Sequence, residues 1–340
     1  MTETNYEVSL LDSNTYKIFK GIYNDFKSKA INEYKFELEP LDYDGFIEAV
    51  ENGYLKCIVL KENSIPTAFL IYTYSISESV ELNIIHCIGS EDESKKQKAL
   101  ITKFLELTEQ ERQHKVVSYP MIGHQAVFTA DLQKFGFKYI GLVVLRFLMG
   151  NASSERILEN MKLPEKPNEY KIVSYSDTYK EDAIRVIHEA FRDTQDAIYD
   201  TRYKSIEGTT DIINKIVENV YGEFLPEATS VLLYNEVPCG FVFANITGGK
   251  IVNIPLVAIE EEHRGKNFSE LLLNRSVTKI VDWTKIGQAN FSEINVTTET
   301  NNYKALKMYR KVGFKEHYSY PQAYLLQKKN WKNFFKDNII

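Results

Sequence analysis

Cysteine is scarce, with only Cys57, Cys87 and Cys239 in 340 residues. They are odd in number, widely spaced and set in apolar, strand-like sequence, which argues for buried free thiols rather than a disulfide framework or a nucleophile. Long apolar runs are missing too. Nowhere do the roughly 18 uninterrupted apolar residues of a membrane-crossing helix occur, and Met1–Tyr6 lacks the basic and apolar regions of a secretory leader. A cytoplasmic protein is therefore expected. The glycosylation-like triplets at Asn151, Asn245, Asn267, Asn274 and Asn295 follow simply from a composition rich in Asn, Ser and Thr. An excess of positive charge is also absent. A formal net charge of −6 argues against nucleic acid or an anionic membrane as principal partner, and no metal site is expected. What is present is ordinary for a globular chain, with 44% apolar and 26% charged residues and enough length for two domains.

The chain reads twice through one plan. Tyr6–Leu11 leads into a helical stretch ending near Phe26, and Tyr170–Tyr175 leads into another ending near Phe191. At the far ends, Lys134-Phe135-Gly136-Phe137-Lys138 answers Lys311-Val312-Gly313-Phe314-Lys315, in each case a helix that stops at glycine before a last strand. Strands are predicted at 55–60, 67–74 and 80–88 with a helix over 95–113, and again at 230–234, 240–244 and 251–259, followed by a helix over 268–283 and a strand at 293–298. This order gives an α/β fold of two tandem domains, each a mixed, mostly antiparallel sheet flanked by helices. Gly150–Asn168 is polar, holds Pro164 and Pro167, and is the linker candidate, with a short helix over 155–161. The expected division is a first domain at 1–149, a linker at 150–168 and a second domain at 169–340.

The richest stretch is Arg264-Gly265-Lys266-Asn267-Phe268-Ser269, which follows an apolar strand and opens a helix. Backbone N–H groups at a helix N-terminus, with a cation on either side of a glycine, suit a pyrophosphate: fixed donors, the positive end of the helix dipole and no side chain in the way. Downstream stand Asn302, Ala305, Tyr309 and Gly313-Phe314. Ala305, Met308, Tyr309 and Val312 fall on one helical face, so Tyr309 reads equally as a core aromatic. Pro255 lacks a donor and should sit where strand pairing is broken or distorted.

On these motifs, residues 170–327 resemble a GCN5-related N-acetyltransferase (GNAT) domain, and residues 6–148 resemble a degenerate second one. Asn267 and Ser269 stand where the family's loop usually has glycine; Asn tolerates left-handed backbone angles. The resemblance implies an acyl-CoA-dependent N-acyltransferase. Acetyl-CoA or another short acyl-CoA is the implied co-substrate, with a small-molecule amine as acceptor. It also implies that Val257 and Ile259 expose backbone groups to the pantetheine arm and thioester, that Arg264 to Ser269 hold the pyrophosphate, that Asn302 belongs to the cofactor site, and that Tyr309 is the general acid.

The proton acceptor stays open among Glu260, Glu261, Glu262, Glu299 and Asp200. Tyr199, Asp200 and Tyr221, with Tyr203, lie in the segment expected to fold over the acceptor, where aromatic rings suit a sugar or base. His263 is read as packing on the loop. Two tandem arrangements are similar in plan, one acylating the amine of a thiol cofactor precursor and the other a nucleotide-linked amino sugar, which is preferred. A protein or peptide amine as acceptor, and a non-catalytic CoA-binding sensor, are the alternatives. In the first copy Gln125, Phe128 and Leu132 register on Asn302, Ala305 and Tyr309, and the loop from Gly89 to Lys96 is acidic, so the chemistry is expected in the second copy alone.

Overall fold

The computed structural model describes residues 6–34, 39–74, 79–89, 92–111, 115–118 and 131–325. These divide into two compact units, residues 1–140 with 320–340, and residues 141–319. The composition placed the divisions at 149/150 and 168/169. The compact units instead take residues 141–168 into the second and return 320–340 to the first.

In the first unit, β1 (Tyr6–Leu10), β2 (Lys56–Glu62), β3 (Ile65–Tyr74), β4 (Ser79–Cys87) and β5 (Lys115–Ser118) form a sheet in that order, antiparallel except for the β4/β5 pair. Helices α1 (Tyr16–Ala30) and α2 (Tyr43–Glu51) cover one face and α3 (Glu93–Glu111) the other. The alternation along β3 explains this arrangement. Phe69 and Ile71 join Phe19, Tyr23, Phe26 and Phe46, while Ala68, Leu70 and Tyr72 join Leu100, Ile101 and Phe104. A strand buried on both faces is apolar throughout, which is why this segment reads as one unbroken run.

The second unit repeats the layout. After β6 (Lys138–Leu148) and α4 (Ala152–Glu159) come β7 (Tyr170–Ser174), α5 (Lys180–Phe191), a single turn at Asp196–Tyr199, and α6 (Ile206–Val217). Then follow β8 (Glu223–Phe224), β9 (Ser230–Tyr234), β10 (Val237–Val242), β11 (Asn245–Gly248), β12 (Ile251–Asn253), β13 (Val257–Ile259), α7 (Phe268–Lys285), β14 (Glu293–Glu299), α8 (Tyr303–Val312) and β15 (Lys315–Leu325). On β9, Val231 and Leu233 face α5 and α6, whereas Leu232 faces the side covered by α7 and α8. Both glycine-stopped helices end alike. Phe137 N–H reaches the Leu132 carbonyl and Phe314 N–H the Tyr309 carbonyl, with Gly136 and Gly313 at φ of 83° and 106°. Gln125 and Phe128 lie outside the described residues.

One expected strand is two. Residues 251–259 part at Ile254-Pro255-Leu256, so β12 runs parallel to β14 in one sheet while β13 pairs antiparallel with β10 in another, ordered β13-β10-β9-β7. Exposed Pro255, which has no N–H to give, sits at the break. The linker candidate holds a real helix: Asn151 caps α4 by accepting from Ser154 N–H, and Leu158 is buried in the core of the second unit. No helix among the described residues is long and apolar enough to cross a membrane.

Candidate active site

The break between β12 and β13 leaves β13 at the edge of its sheet. Glu260 N–H bonds to the Cys239 carbonyl and the Leu256 carbonyl accepts from Phe243 N–H, while Ala258 is in register with Phe241. Even-numbered groups are thereby spent on β10, and by alternation the backbone groups of Val257 and Ile259 point to the open edge. The Ile259 carbonyl there accepts from Arg264 Nε at 2.8 Å. That bond leaves the Val257 backbone and the Ile259 N–H on the edge.

The chain then turns through Glu261–His263 and enters the loop before α7. Gly265 (φ 80°) and Asn267 (φ 59°) are both left-handed, the conformation that glycine adopts freely and asparagine tolerates. A Cβ on Gly265 would meet nothing within 4 Å, so backbone angle and not space calls for glycine here. The Asn267 side chain makes no cap bond, and the N–H groups of residues 265–269 have no partner among the described hydrogen bonds. Such a concave run of amides at a helix start is an anion cradle, and it fits the pyrophosphate of a CoA substrate.

The cations beside the loop are oriented. Lys266 Nζ donates to Tyr170 Oη at 2.8 Å, a bond that raises the ammonium pKa, and lies 5.2 Å from that ring's centroid. His263 is buried, with Nδ1 2.9 Å from Tyr170 Oη and its ring against Tyr234. Phe268 is buried against Tyr170, so it can offer the loop only its N–H.

A second group gathers where β14 ends and α8 begins. Asn302 caps α8, its Oδ1 accepting from Ala305 N–H at 3.2 Å and its Nδ2 lying 3.4 Å from Glu299 Oε2. Tyr309 is 6% exposed, rests edge-on to Phe314, and its hydroxyl has no partner among the described hydrogen bonds. Burial first, and then the charges of Asp196 and Glu299, push the phenol's pKa upward. It therefore stays protonated throughout the neutral range. Asp196, on the single turn after α5, is itself pushed up to about 6 by burial and by Glu299, against one side-chain hydrogen bond from Thr194. Two carboxylates and a phenol from three elements thus share one poorly hydrated place. Sequence reasoning named Tyr309 and Glu299 and missed Asp196.

The other expected acceptor-side residues are held by near neighbours. Asp200 caps the turn at Thr201–Lys204 and grips Arg202, which also binds Asp211 and the Tyr221 hydroxyl. Tyr203 stacks on Phe191 at 4.9 Å. Tyr199 closes the turn that Asp196 opens. Of the three acids after β13, Glu260 pairs with Arg185 and Glu261 and Glu262 are exposed. Cys57 and Cys239 are buried, Cys87 is half-buried, and all three are free. Among the described residues no group of His, Cys, Asp or Glu is arranged to hold a metal ion.

Residues 189–314 match the acetyltransferase (GNAT) family. No curated protein matches the chain. Among solved structures, a GCN5-related N-acetyltransferase from Sphaerobacter thermophilus is similar at a TM-score of 0.61 and 12% identity, over 95% of this chain and 96% of that one. A tandem GNAT protein from the clavulanic acid biosynthesis pathway is similar at 0.55 and 11%, over 96% and 100%. A GCN5-related glucosamine N-acetyltransferase region of a fungal multi-domain GH3 β-N-acetylglucosaminidase is similar at 0.61 and 12%, over 96% of this chain and 38% of that one. These likenesses show the fold.

Proposed function

From the match of residues 189–314 to the acetyltransferase (GNAT) family, we propose that this chain is an acyltransferase that moves an acetyl or other short acyl group from CoA to a primary amine of a small molecule. The second unit holds the machinery, and the first has lost it. The observation that carries the reading is the grouping of Tyr309, Glu299 and Asp196 in the same unit as the loop of unpartnered amides. An amine acyl transfer needs a proton acceptor and a proton donor at one place, and this grouping supplies both.

In this reading the amides of residues 265–269 hold the pyrophosphate, and the open edge at Val257 and Ile259 takes the pantetheine arm. An N–H on that edge faces the oxyanion that develops as the amine attacks the thioester carbonyl. Asp196, with Glu299 beside it, accepts the proton that the ammonium must lose; a carboxylate raised to about 6 is ionised at neutral pH yet more basic than an ordinary aspartate. Collapse breaks the C–S bond, and Tyr309 gives its proton to the departing thiolate. Asn302 works by capping α8 and steadying Glu299. The half-buried pair of Asp200 and Arg202, with exposed Tyr221, rims the acceptor side. Among acceptors we favour an amino sugar linked to a nucleotide; the shared fold of the fungal glucosamine N-acetyltransferase region supports that class.

The test is release of free CoA thiol from acetyl-CoA and longer acyl-CoAs, offered against nucleotide-linked amino sugars, aminoglycosides, polyamines, amino acids and a lysine peptide. Turnover with amino sugars is expected. Turnover confined to the lysine peptide would overturn the acceptor class, and failure to bind CoA would overturn the whole reading.

A further inference from the structure

Four arginines among the described residues are half-buried: Arg146, Arg185, Arg202 and Arg275. Three of them have carboxylates, with Glu293 beside Arg146, Asp182 and Glu260 on Arg185, and Asp200 and Asp211 on Arg202. Arg275, on α7, has none among the described residues. Its Nη1 donates to Ser230 Oγ at 3.1 Å and its Nη2 to Ser174 Oγ at 2.9 Å. Both hydroxyls have a further partner: Ser230 Oγ lies 2.8 Å from Ser276 Oγ, and Ser174 Oγ donates to the Glu227 carbonyl at 3.1 Å. Hydroxyls satisfy N–H groups, but they bring no charge to set against the guanidinium. Burial pushes the Arg275 pKa below the ordinary arginine value, and no opposite charge raises it again. A cation drawn out of water without a counter-charge is costly, and this fold holds one in a fixed place.

The surroundings fit an anion from solution. Ser174 and Ser230 are in register on β7 and β9, and fully buried Ser230 and Ser276 fix one side of the guanidinium. β7 is the last strand of its sheet, which leaves the other side open. The remaining N–H groups of Arg275 have no partner among the described hydrogen bonds. One turn further along α7, Lys279 Nζ pairs with Glu227 Oε2 at 3.2 Å, the two side chains being 41% and 65% exposed. So exposed a pair is worth little, and the ammonium can leave Glu227 for a stronger partner. A guanidinium fork, a hydroxyl and an ammonium within one helical turn are the donors that a tetrahedral oxyanion takes. We propose that Arg275, with Ser174 and Lys279, forms a phosphate-binding site on the flank of the second unit, filled by inorganic phosphate or by the phosphate group of a monoester. Arg275 stands about two helical turns, roughly 12 Å, beyond Asn267 on α7, so this site is separate from the amide loop and does not rest on the acyl-CoA reading. An anion there fastens α7 to β7, whose first residues, Phe268 and Tyr170, pack together beside that loop.

The experiment is calorimetric titration of inorganic phosphate and of glycerol phosphate into the full-length protein and into Arg275→Met, Arg275→Lys and Gly265→Asp. The wild type should bind at least one of the two with a Kd of about a millimolar or tighter. Arg275→Met should bind it at least about tenfold more weakly, the worth of one hydrogen bond to a charged group. Arg275→Lys should fall between them, because it keeps the charge and loses the fork. Gly265→Asp, which sets a carboxylate in the amide loop, should keep the wild-type affinity. Tighter binding of glycerol phosphate would assign the site to a phosphorylated metabolite, and tighter binding of inorganic phosphate to the free anion; either supports the proposal. Melting in phosphate-free buffer is the second measurement. Arg275→Met exchanges an unpaired cation for a neutral chain, so it should melt no lower than the wild type. Absence of binding up to about 10 mM, undiminished binding by Arg275→Met, or loss of binding in Gly265→Asp would overturn the proposal. So would a phosphate-free melt of Arg275→Met several degrees below wild type, which would make Arg275 a strut between α7 and β7.

Discussion

Replacing Tyr309 by Phe removes one oxygen from a buried place, and the structure allows its effects to be separated. The ring keeps its edge-on contact with Phe314 at 5.8 Å. The hydroxyl has no hydrogen-bond partner among the described residues, so its loss strands no donor or acceptor there, and the stability change should stay below about 1 kcal/mol. Binding of acyl-CoA through the loop should not change. What is lost is the proton for the thiolate, and general acid catalysis is worth roughly 10²–10⁴ in rate, or about 3–5 kcal/mol of barrier. Turnover with the best amine of the panel, followed by thiol release, should fall by that factor with KM for the acyl-CoA unchanged and Tm within a degree or two. Because burial and the two carboxylates drive the phenol upward, the wild type should show no alkaline limb from this group in the ordinary assay range. A kcat within about threefold of wild type would refute the general-acid assignment and return Tyr309 to the core.

Four further outcomes follow from three named residues. Asp196 must be ionised to accept a proton, so kcat/KM should fall as pH drops through about 6, and Asp196→Asn should lower the rate and remove that limb; a limb that persists in the variant would exclude Asp196 as its origin. The same group has a folded pKa above its unfolded value, so its cost to stability grows as pH rises from about 4 to 6. Asp196→Asn should therefore be more stable than wild type at pH 8 by about 1–3 kcal/mol, with the gap closing toward pH 4, as thermal melts at the two pH values can show. Gly265→Asp sets a carboxylate in the anion cradle, at a φ of 80° that a side chain adopts only with strain, and should weaken CoA binding at least about tenfold by calorimetry; unaltered affinity would show that the loop is not the pyrophosphate site. Gly313→Ala forces a side chain into φ 106° and puts its Cβ 2.7 Å from the Ser154 carbonyl, which should cost about 2–3 kcal/mol and several degrees of Tm.

Elements bounded by local chemistry were legible. β9 matches its prediction at Ser230–Tyr234, and α7 begins at Phe268 as predicted, because an apolar run ending at a turn, or a loop of left-handed formers opening a helix, announces itself. Helices α2 and α6 were missed; at 9 and 12 residues each leaves a short pattern. The predicted strand over 251–259 failed because apolar continuity says nothing about which partner each half takes, although Pro255 marked the place. The loop could be found for the same local reasons. Asp196 could not, since its environment is made by Glu299 and Tyr309, about a hundred residues further along. The partners of Asp200 and Tyr203 were hidden for the complementary reason: their residue types suit an acceptor, and nothing in the sequence says that an arginine and a phenylalanine nearby hold them.

The last strand carries one more consequence. Ala323–Leu325 pair with Val116–Ser118 inside the first unit, and residues 142–148 of β6 pair with β14 inside the second. The first unit is not a continuous length of chain, and the second begins ahead of the repeat, at Gly141. On the ribosome the first unit cannot close its sheet until residue 325 has emerged, by which time the whole second unit has been made. A clone cut at 169 would lack β6, leaving β14 with an open edge of unpaired N–H and C=O groups. The gene can thus be halved on paper at its repeat, but the polypeptide cannot.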